Sequence, residues 1–370
     1  MPLQGDAAPA RPTYTRITPL AVGGGGVVFV AHHEGFDKPC VQKLVPTAHM
    51  PAAIAYAEPR LLDQLKHPNL VPVIDTQPDP HNPTHIVFTM PYYRQGSVRF
   101  ALDHNYRFSI HRAIDIGCDL LTALGHLHLS GLVHRDVKSD NTFLADTLRE
   151  GLLGDVGIAA RLEPDGKVPG GVGTYLFMPP EAFGPGSRVG PEMDLYCAGL
   201  TIFEMVNGPI DYASLAGAPA QARLARGLRG IPDSALEFSP HVPAALRRVI
   251  RKATKISPSE RYMTARAFIQ ALRRLTLVDW IEVSRGTGLE GRWEGTWPPR
   301  LTLNRRRQFT VDVTPVKHQV VAVALQRTAP SGPWRRFGVA DARLRATDSK
   351  ALAQFFSAVN ARAAQLLPAR

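Results

Sequence analysis

The run Leu132-Val133-His134-Arg135-Asp136-Val137-Lys138-Ser139-Asp140-Asn141 packs two carboxylates, two cations and an amide into one short loop, with apolar residues on both sides. Phosphoryl transfer needs such a set. Asp136 can accept the proton of an attacking hydroxyl, Lys138 can neutralise the moving phosphoryl group, and Asn141 can offer its amide oxygen to a metal. The alternative is a charged surface loop, and the apolar flanks count against it. Asp155, in Gly154-Asp155-Val156-Gly157, follows Leu152-Leu153 and is placed to bind magnesium, a hard cation that takes oxygen ligands and bridges phosphates. By itself that tetrapeptide is a common turn.

Upstream, Leu20-Ala21-Val22-Gly23-Gly24-Gly25-Gly26-Val27-Val28 lies between two strand-like runs. Glycines let backbone N–H groups approach phosphate oxygens without obstruction, although four glycines also make a flexible turn. Lys43 ends the next strand, and a buried strand lysine needs an anion, which nucleotide phosphates would supply. Glu58, on the helix after it, can pair with Lys43 and fix its direction. Pro59 follows directly. Proline lacks the helix N–H and disfavours helical geometry in the residue before it, so a kink or a helix start is expected there, and the Lys43–Glu58 pair is the contact it endangers.

These groups are spaced along a chain that is strand-rich first and helix-rich later. Residues 1–12 read as a flexible leader. Alternation predicts strands and turns from Thr13 to Val45, a helix over Ala52–Leu65, and strands over Val71–Asp75 and Thr84–Met90. Helical spacing of apolar residues then predicts Ser109–Ser130 and Leu195–Val206, with two more helices in Pro243–Leu275. Past Leu277 the pattern changes. Phe309–Pro315 and Val320–Gln326 read as strands. Asp348–Leu367 reads as a helix with Leu352, Phe355, Phe356, Val359, Ala363 and Leu366 on one face, capped by Thr347 or Asp348.

Composition is that of an ordinary globular protein: 44% apolar and 20% charged over 370 residues. Cys40, Cys118 and Cys197 stand apart, which fits a reducing compartment better than a disulfide framework or zinc site. No apolar run is long enough to span a bilayer, and a cytoplasmic location is expected. The charge of +11 is uneven. Residues 278–370 hold 15 Lys+Arg against 7 Asp+Glu, and the rest is nearly balanced. Arg305, Arg306, Arg307, Lys317, Arg327, Arg335, Arg336, Arg343 and Arg345, with Trp293, Trp297 and Trp334, could form a face for an anionic partner, protein or nucleic acid. The same residues could equally be core and packing.

Taken in order, these motifs resemble the eukaryotic-like (Hanks-type) Ser/Thr protein kinases over residues 13–277. His134–Asn141 resembles the catalytic loop and Asp155-Val156-Gly157 the metal-binding Asp-Phe-Gly. Gly173–Glu181 is similar to the end of the activation segment, and Arg261 fits the arginine that pairs with Glu181. Asp194 fits the buried aspartate that holds the catalytic loop. The resemblance implies a bilobal kinase fold of strand-rich N-lobe and helical C-lobe over 13–277, and the residue pattern and charge add a small basic α+β domain over 278–370, so that an α+β chain is expected. It also implies ATP with Mg²⁺ or Mn²⁺, metal ligands Asn141 and Asp155, and an adenine held by the Pro91 carbonyl and the Tyr93 N–H behind Met90. Thr174 would hold the substrate-binding loop, and Thr174 with Lys138 implies serine and threonine as acceptors in an unidentified protein substrate.

Three departures stand out. Ala21 replaces the first glycine of the loop, and Val156 replaces phenylalanine. Between Asp155 and Glu181 the only hydroxyl side chains are Thr174 and Tyr175. The upstream phosphorylation site is therefore missing, and Arg135 is expected to find Glu163 or Asp165 in place of a phosphate. A pseudokinase scaffold, supported chiefly by Pro59, is the alternative function. A small-molecule phosphotransferase is a weaker one, because Gly173–Glu181 and Arg261 are present.

Overall fold

The computed structural model describes residues 13–23, 26–47, 52–297 and 307–366. The chain forms two packed units. One holds the residues up to Arg94 together with Gly154–Gly157, and the other holds Gln95–Leu153 and everything from Ile158.

The first unit is an antiparallel sheet of β1 (Tyr14–Gly23), β2 (Gly26–His33), β3 (Lys38–Pro46), β4 (Asp75–Pro78) and β5 (His85–Pro91), in the order β1-β2-β3-β5-β4. Gly23 and Gly26 pair at the end of the β1–β2 ladder, and Gly24 and Gly25 lie outside the described residues. Gly26 has φ +124°, and a Cβ there would sit 1.9 Å from the Leu44 carbonyl oxygen, so β2 can start against β3 only from glycine. The strand expected over Val71–Asp75 begins instead at Asp75. Pro72 has no N–H to give a ladder, and the register with β5 opens at Asp75 opposite Thr89.

The helix expected over Ala52–Leu65 is divided into α1 (Ala52–Ala55) and α2 (Ala57–Gln64), with Tyr56 between them. Pro59 falls in the first turn of α2. Backbone N–H groups there have no intrahelical acceptor, so the missing donor removes nothing.

The second unit opens with α3 (Val98–Asp103) and α4 (Ile110–Leu129). Short pairs follow: β6 (Leu132–Val133) with β9 (Ala160–Arg161), β7 (Thr142–Leu144) with β8 (Gly151–Leu153), and β10 (Val168–Pro169) with β11 (Arg188–Val189). Next come α5 (Glu192–Asn207), α6 (Tyr212–Leu215), α7 (Ala218–Leu224), α8 (Ala244–Ala253) and α9 (Ala265–Arg273). Ser109 caps α4, its hydroxyl accepting from Arg112 N at 3.3 Å. In α5 every residue from Met193 to Val206 is buried, as expected of a helix that is apolar nearly all round. Asp194 and Glu204 interrupt that surface and must find partners inside.

The same unit ends in a six-stranded antiparallel sheet: β12 (Asp279–Arg285), β13 (Gly291–Trp297), β14 (Arg307–Val316), β15 (Gln319–Arg327), β16 (Arg335–Arg336) and β17 (Ala342–Arg345), closed by α10 (Ser349–Ala364). β15 pairs with β14 on one side and with β16 and β17 on the other. Asp348 caps α10, accepting from Ala351 N at 2.9 Å. Phe309, Val311, Val313, Val320, Ala322 and Ala324 alternate inward, and α10 buries Leu352, Phe355, Phe356, Val359 and Ala363; Leu366 is half-buried beyond the helix. Trp293 and Trp297 are each only 3% exposed, so they are core residues and not stacking surfaces. Trp334 is half-buried, with the Arg327 guanidinium 4.5 Å from its ring centre.

This sheet is fastened to the helices. The Asp279 carboxylate accepts from His111 N at 2.8 Å, adding a second cap to α4. Arg107 lies 3.5 Å from Glu282. The buried His241 ring sits beside Trp293 and Phe356, with centroids 6.2 and 6.3 Å away.

Candidate active site

In the first unit the ladder register places Val28, Lys43 and Phe88 side by side on β2, β3 and β5. Directly opposed residues share a face, and Lys43 Nζ stands 5.6 Å over the Phe88 ring. Its ammonium donates to Glu58 Oε2 at 2.8 Å, Glu58 Oε1 at 3.0 Å and Asp155 Oδ1 at 2.9 Å. Burial pulls the Lys43 pKa down, but the two carboxylates outweigh it and leave the group raised and cationic. Burial lifts Glu58 above the usual range while Lys43 pulls it back. Because Pro59 occupies the first turn of α2, Glu58 keeps the helical direction that reaches Lys43. Asp155 adopts φ +58°, a left-handed conformation that aspartate tolerates better than most residues.

In the second unit residues 134–141 run between β6 and β7. Asp136 Oδ1 accepts from Thr174 N at 2.9 Å and Thr174 Oγ1 at 2.7 Å. Its Oδ2 accepts from Lys138 Nζ at 2.7 Å and Asn141 Nδ2 at 3.1 Å. Lys138 also donates to Thr174 Oγ1 at 2.8 Å. The loop backbone is itself strained, with Arg135 at φ +71°. Asp194, with no exposure, holds that turn by accepting from His134 N and Arg135 N, both at 2.9 Å, and it also meets His128 Nε2 at 2.8 Å. Burial works to raise the Asp194 pKa, but His128 and the loop donors hold it below the usual carboxylate range. Gly173 has φ +109°, and a Cβ there would lie 2.4 Å from the Arg135 carbonyl oxygen, so Thr174 can reach Asp136 only past a glycine.

The end of this segment is tied by Arg261, whose side chain is fully buried and which donates to both Glu181 oxygens at 2.5 and 2.8 Å. The partners expected for Arg135 are corrected. Its guanidinium donates to the carbonyls of Ile158 at 2.6 Å and Pro169 at 3.0 Å. Glu163 and Asp165 instead meet Arg188, at 2.7 and 2.8 Å. The physical reason is the β10–β11 pairing, Pro169 opposite Arg188, which brings Arg188 to the Glu163–Lys167 turn.

The sequence model for the protein kinase domain matches residues 14–272. The chain belongs to the protein kinase family. It is 29% identical over 213 residues to the serine/threonine/tyrosine-protein kinase HT1 of Arabidopsis thaliana, covering 55% of this chain and 50% of that protein. It is 26% identical over 277 residues to the serine/threonine-protein kinase max-2 of Caenorhabditis elegans, covering 72% and 41%. With the serine/threonine-protein kinase PrkC of Bacillus subtilis it shares 27% over 211 residues, covering 56% and 31%. The kinase thus spans half or less of these relatives' own length. Its sheet-rich first unit and the helices of its second unit fit the protein kinase fold.

The donor chemistry of the kinase fits a hard cation. Asn141 spends its amide N–H groups on Asp136, at 2.9 Å to the backbone oxygen and 3.1 Å to the side chain, which leaves Oδ1 as the ligand atom. Asp155 is 45% exposed, and in its cluster two carboxylates face one ammonium. No group of three or more His, Cys, Asp or Glu side chains suited to a metal occurs among the described residues. Asn141 Oδ1 in one unit and the Asp155 carboxylate in the other are oxygen donors of the kind a hard cation takes.

Of the remaining expected residues, Leu20 is exposed on β1, and Ala21 and Val22 pair with Val28 and Val27. Met90 and Pro91 end β5 opposite Val41 and Cys40, and Tyr93 follows in an irregular segment. No helix among the described residues is long and apolar enough to cross a membrane. Sequence reading missed His128, Ser139, Arg188, Glu204 and Asp279. Glu204 had a signal, a lone charge inside an apolar helical run. His128 and Asp279 had none, since their partners are distant in the chain.

Proposed function

We propose that this kinase transfers the γ-phosphoryl group of ATP to serine and threonine hydroxyls of proteins. The observation that carries the reading is the Asp136 cluster: a carboxylate fixed by Lys138, Asn141 and Thr174 in a loop whose backbone is held by a buried aspartate. Asp136 accepts the hydroxyl proton as the oxygen attacks. Lys138 sets a positive charge beside that oxygen and the transferring group. Lys43, aimed by Glu58, orients nucleotide phosphates, while the Pro91 carbonyl and Tyr93 N–H hold adenine. Magnesium, or manganese, held by Asn141 and Asp155, would supply charge neutralisation on the phosphates. Serine and threonine are favoured over tyrosine because Lys138 and Thr174 match residues typical of the Ser/Thr branch of the family. We place the protein in the cytoplasm of a bacterium, and propose an anionic partner for residues 278–370 through the exposed Arg335, Arg343 and Arg345. Binding indifferent to salt would remove that last assignment.

Transfer from labelled ATP to a protein acceptor tests the main reading. Wild type should label serine or threonine, and Asp136→Ala should lose at least ~10²-fold. Nucleotide binding without transfer by wild type would instead mark a binding scaffold.

A further inference from the structure

We propose that Glu204 is a positioning residue for phosphoryl transfer, holding the catalytic loop through the Ser139 hydroxyl and releasing it when the carboxylate takes up a proton. The inference rests on the kinase reading above. Ser139 stands between Lys138 and Asn141, is fully buried, and donates to Glu204 Oε2 at 2.6 Å. The same oxygen accepts from Tyr212 OH at 3.1 Å. Oε1 accepts from Ile210 N at 3.0 Å and from Arg99 at 3.4 Å. Four donors from the catalytic loop, α3, the segment after α5 and the start of α6 thus converge on one carboxylate with no exposure. The two hydroxyls also lie 3.2 Å from each other, Ser139 Oγ to Tyr212 OH, and either can donate to the other; the ionised carboxylate is the state that accepts from all four donors at once.

The surroundings set where that ionisation falls. Arg99 is the cation facing Glu204, and it is shared: it donates to Asp103 at 2.9 Å and to the Ile210 carbonyl at 2.9 Å, and stacks 3.9 Å over the Tyr212 ring. Lys138 lies on the catalytic loop and is turned to Asp136. The other acids of the cluster are Asp103, Asp211 and Asp140, whose buried Oδ2 has no hydrogen-bond partner in the structure. Tyr212 is held neutral, because burial and Glu204 raise its pKa. Burial pushes Glu204 up to about 7, against the pull of Ser139, Ile210 N and Arg99. A neutral Glu204 bears a proton that must itself be donated, and the oxygens beside Oε2 are those of Ser139 and Tyr212, so a hydroxyl that donated to the carboxylate must turn away and accept from it. Ser139 is the donor that belongs to the catalytic loop, so the loop between Lys138 and Asn141 feels the change.

The test is the pH dependence of kcat for the full chain, at saturating ATP and magnesium, from pH 5.5 to 8.5. Wild type should show an acidic limb near pH 7, falling about tenfold per unit as one ionisation requires. Glu204→Gln copies the uncharged state, so its kcat should be low at pH 8 and flat through this limb. Ser139→Ala cuts the link and should also flatten it, and it carries the test alone should Glu204→Gln fail to fold. A purely structural role would scale kcat and leave the profile unchanged. An active wild type whose limb persists in either variant overturns this inference alone. A wild type inactive at every pH overturns the kinase reading and this inference together.

Discussion

Around the catalytic loop, Asp194 and Glu204 are fully buried and each accepts from several donors within 3.4 Å, whereas the Arg188–Glu163–Asp165 cluster of the activation segment meets where its side chains are 36 to 51% exposed. Both are networks of charge, and both cross-link distant parts of one unit. Removing one partner in the first leaves buried donors with nothing to replace it. In the second, water and salt take over. The geometry of the Asp136 loop therefore rests on the interior network, and the exposed cluster sets the lie of the Glu163–Lys167 turn.

The largest expected effect is from Asp194→Ala, which orphans His134 N, Arg135 N and His128 in a dry interior. It should lower stability by about 3–5 kcal/mol and abolish transfer, read by chemical denaturation and by labelled phosphate. Near-normal activity would break the comparison from the buried side. Arg261→Leu leaves Glu181 without its bidentate partner and should destabilise by a similar or smaller amount, about 2–4 kcal/mol.

His241 gives a pH-dependent middle case. Burial, with Arg285 and Arg247 nearby, pushes its pKa down to about 3, whereas an unfolded histidine titrates near 6.5. Below 6.5 the unfolded chain binds the extra proton, so stability falls as pH drops from 6.5 toward 3, by at most about 1.4 kcal/mol per unit. Unfolding midpoints of wild type and His241→Phe across pH 4–7 should diverge in that sense; parallel curves would refute it. The smallest effect is that of Arg188→Gln, which should leave the unfolding midpoint in place and kcat within a factor of about two. Loss of activity there would overturn the ranking.

The depth at which each feature was legible in the sequence follows the range of the interactions that make it. Asp136, Lys138, Asn141 and Asp155 lie in short segments whose chemistry is local, so composition and spacing expose them. The helices over Ser109–Ser130 and Leu195–Val206 carry their burial pattern in sequence. Arg135 and Arg188 could not be assigned that way, because a two-residue ladder between β10 and β11 decides which arginine reaches the acids. β12 and β13 escaped notice because Gly291 and Gly295 and alternating charges blur their period, although their tryptophans face inward. Pro59 looked damaging from its neighbours alone. Only the break at Tyr56 turns it into a first-turn residue.

The cap that Asp279 places on α4 ties positions 168 residues apart. During synthesis the start of α4 leaves the ribosome long before its partner does. The start of α4 must therefore wait, one acceptor short, until Asp279 has emerged. Pairing of β12 with the rest of the unit becomes a late step in reaching the native fold, and a chain truncated before residue 279 would lack the second cap of α4.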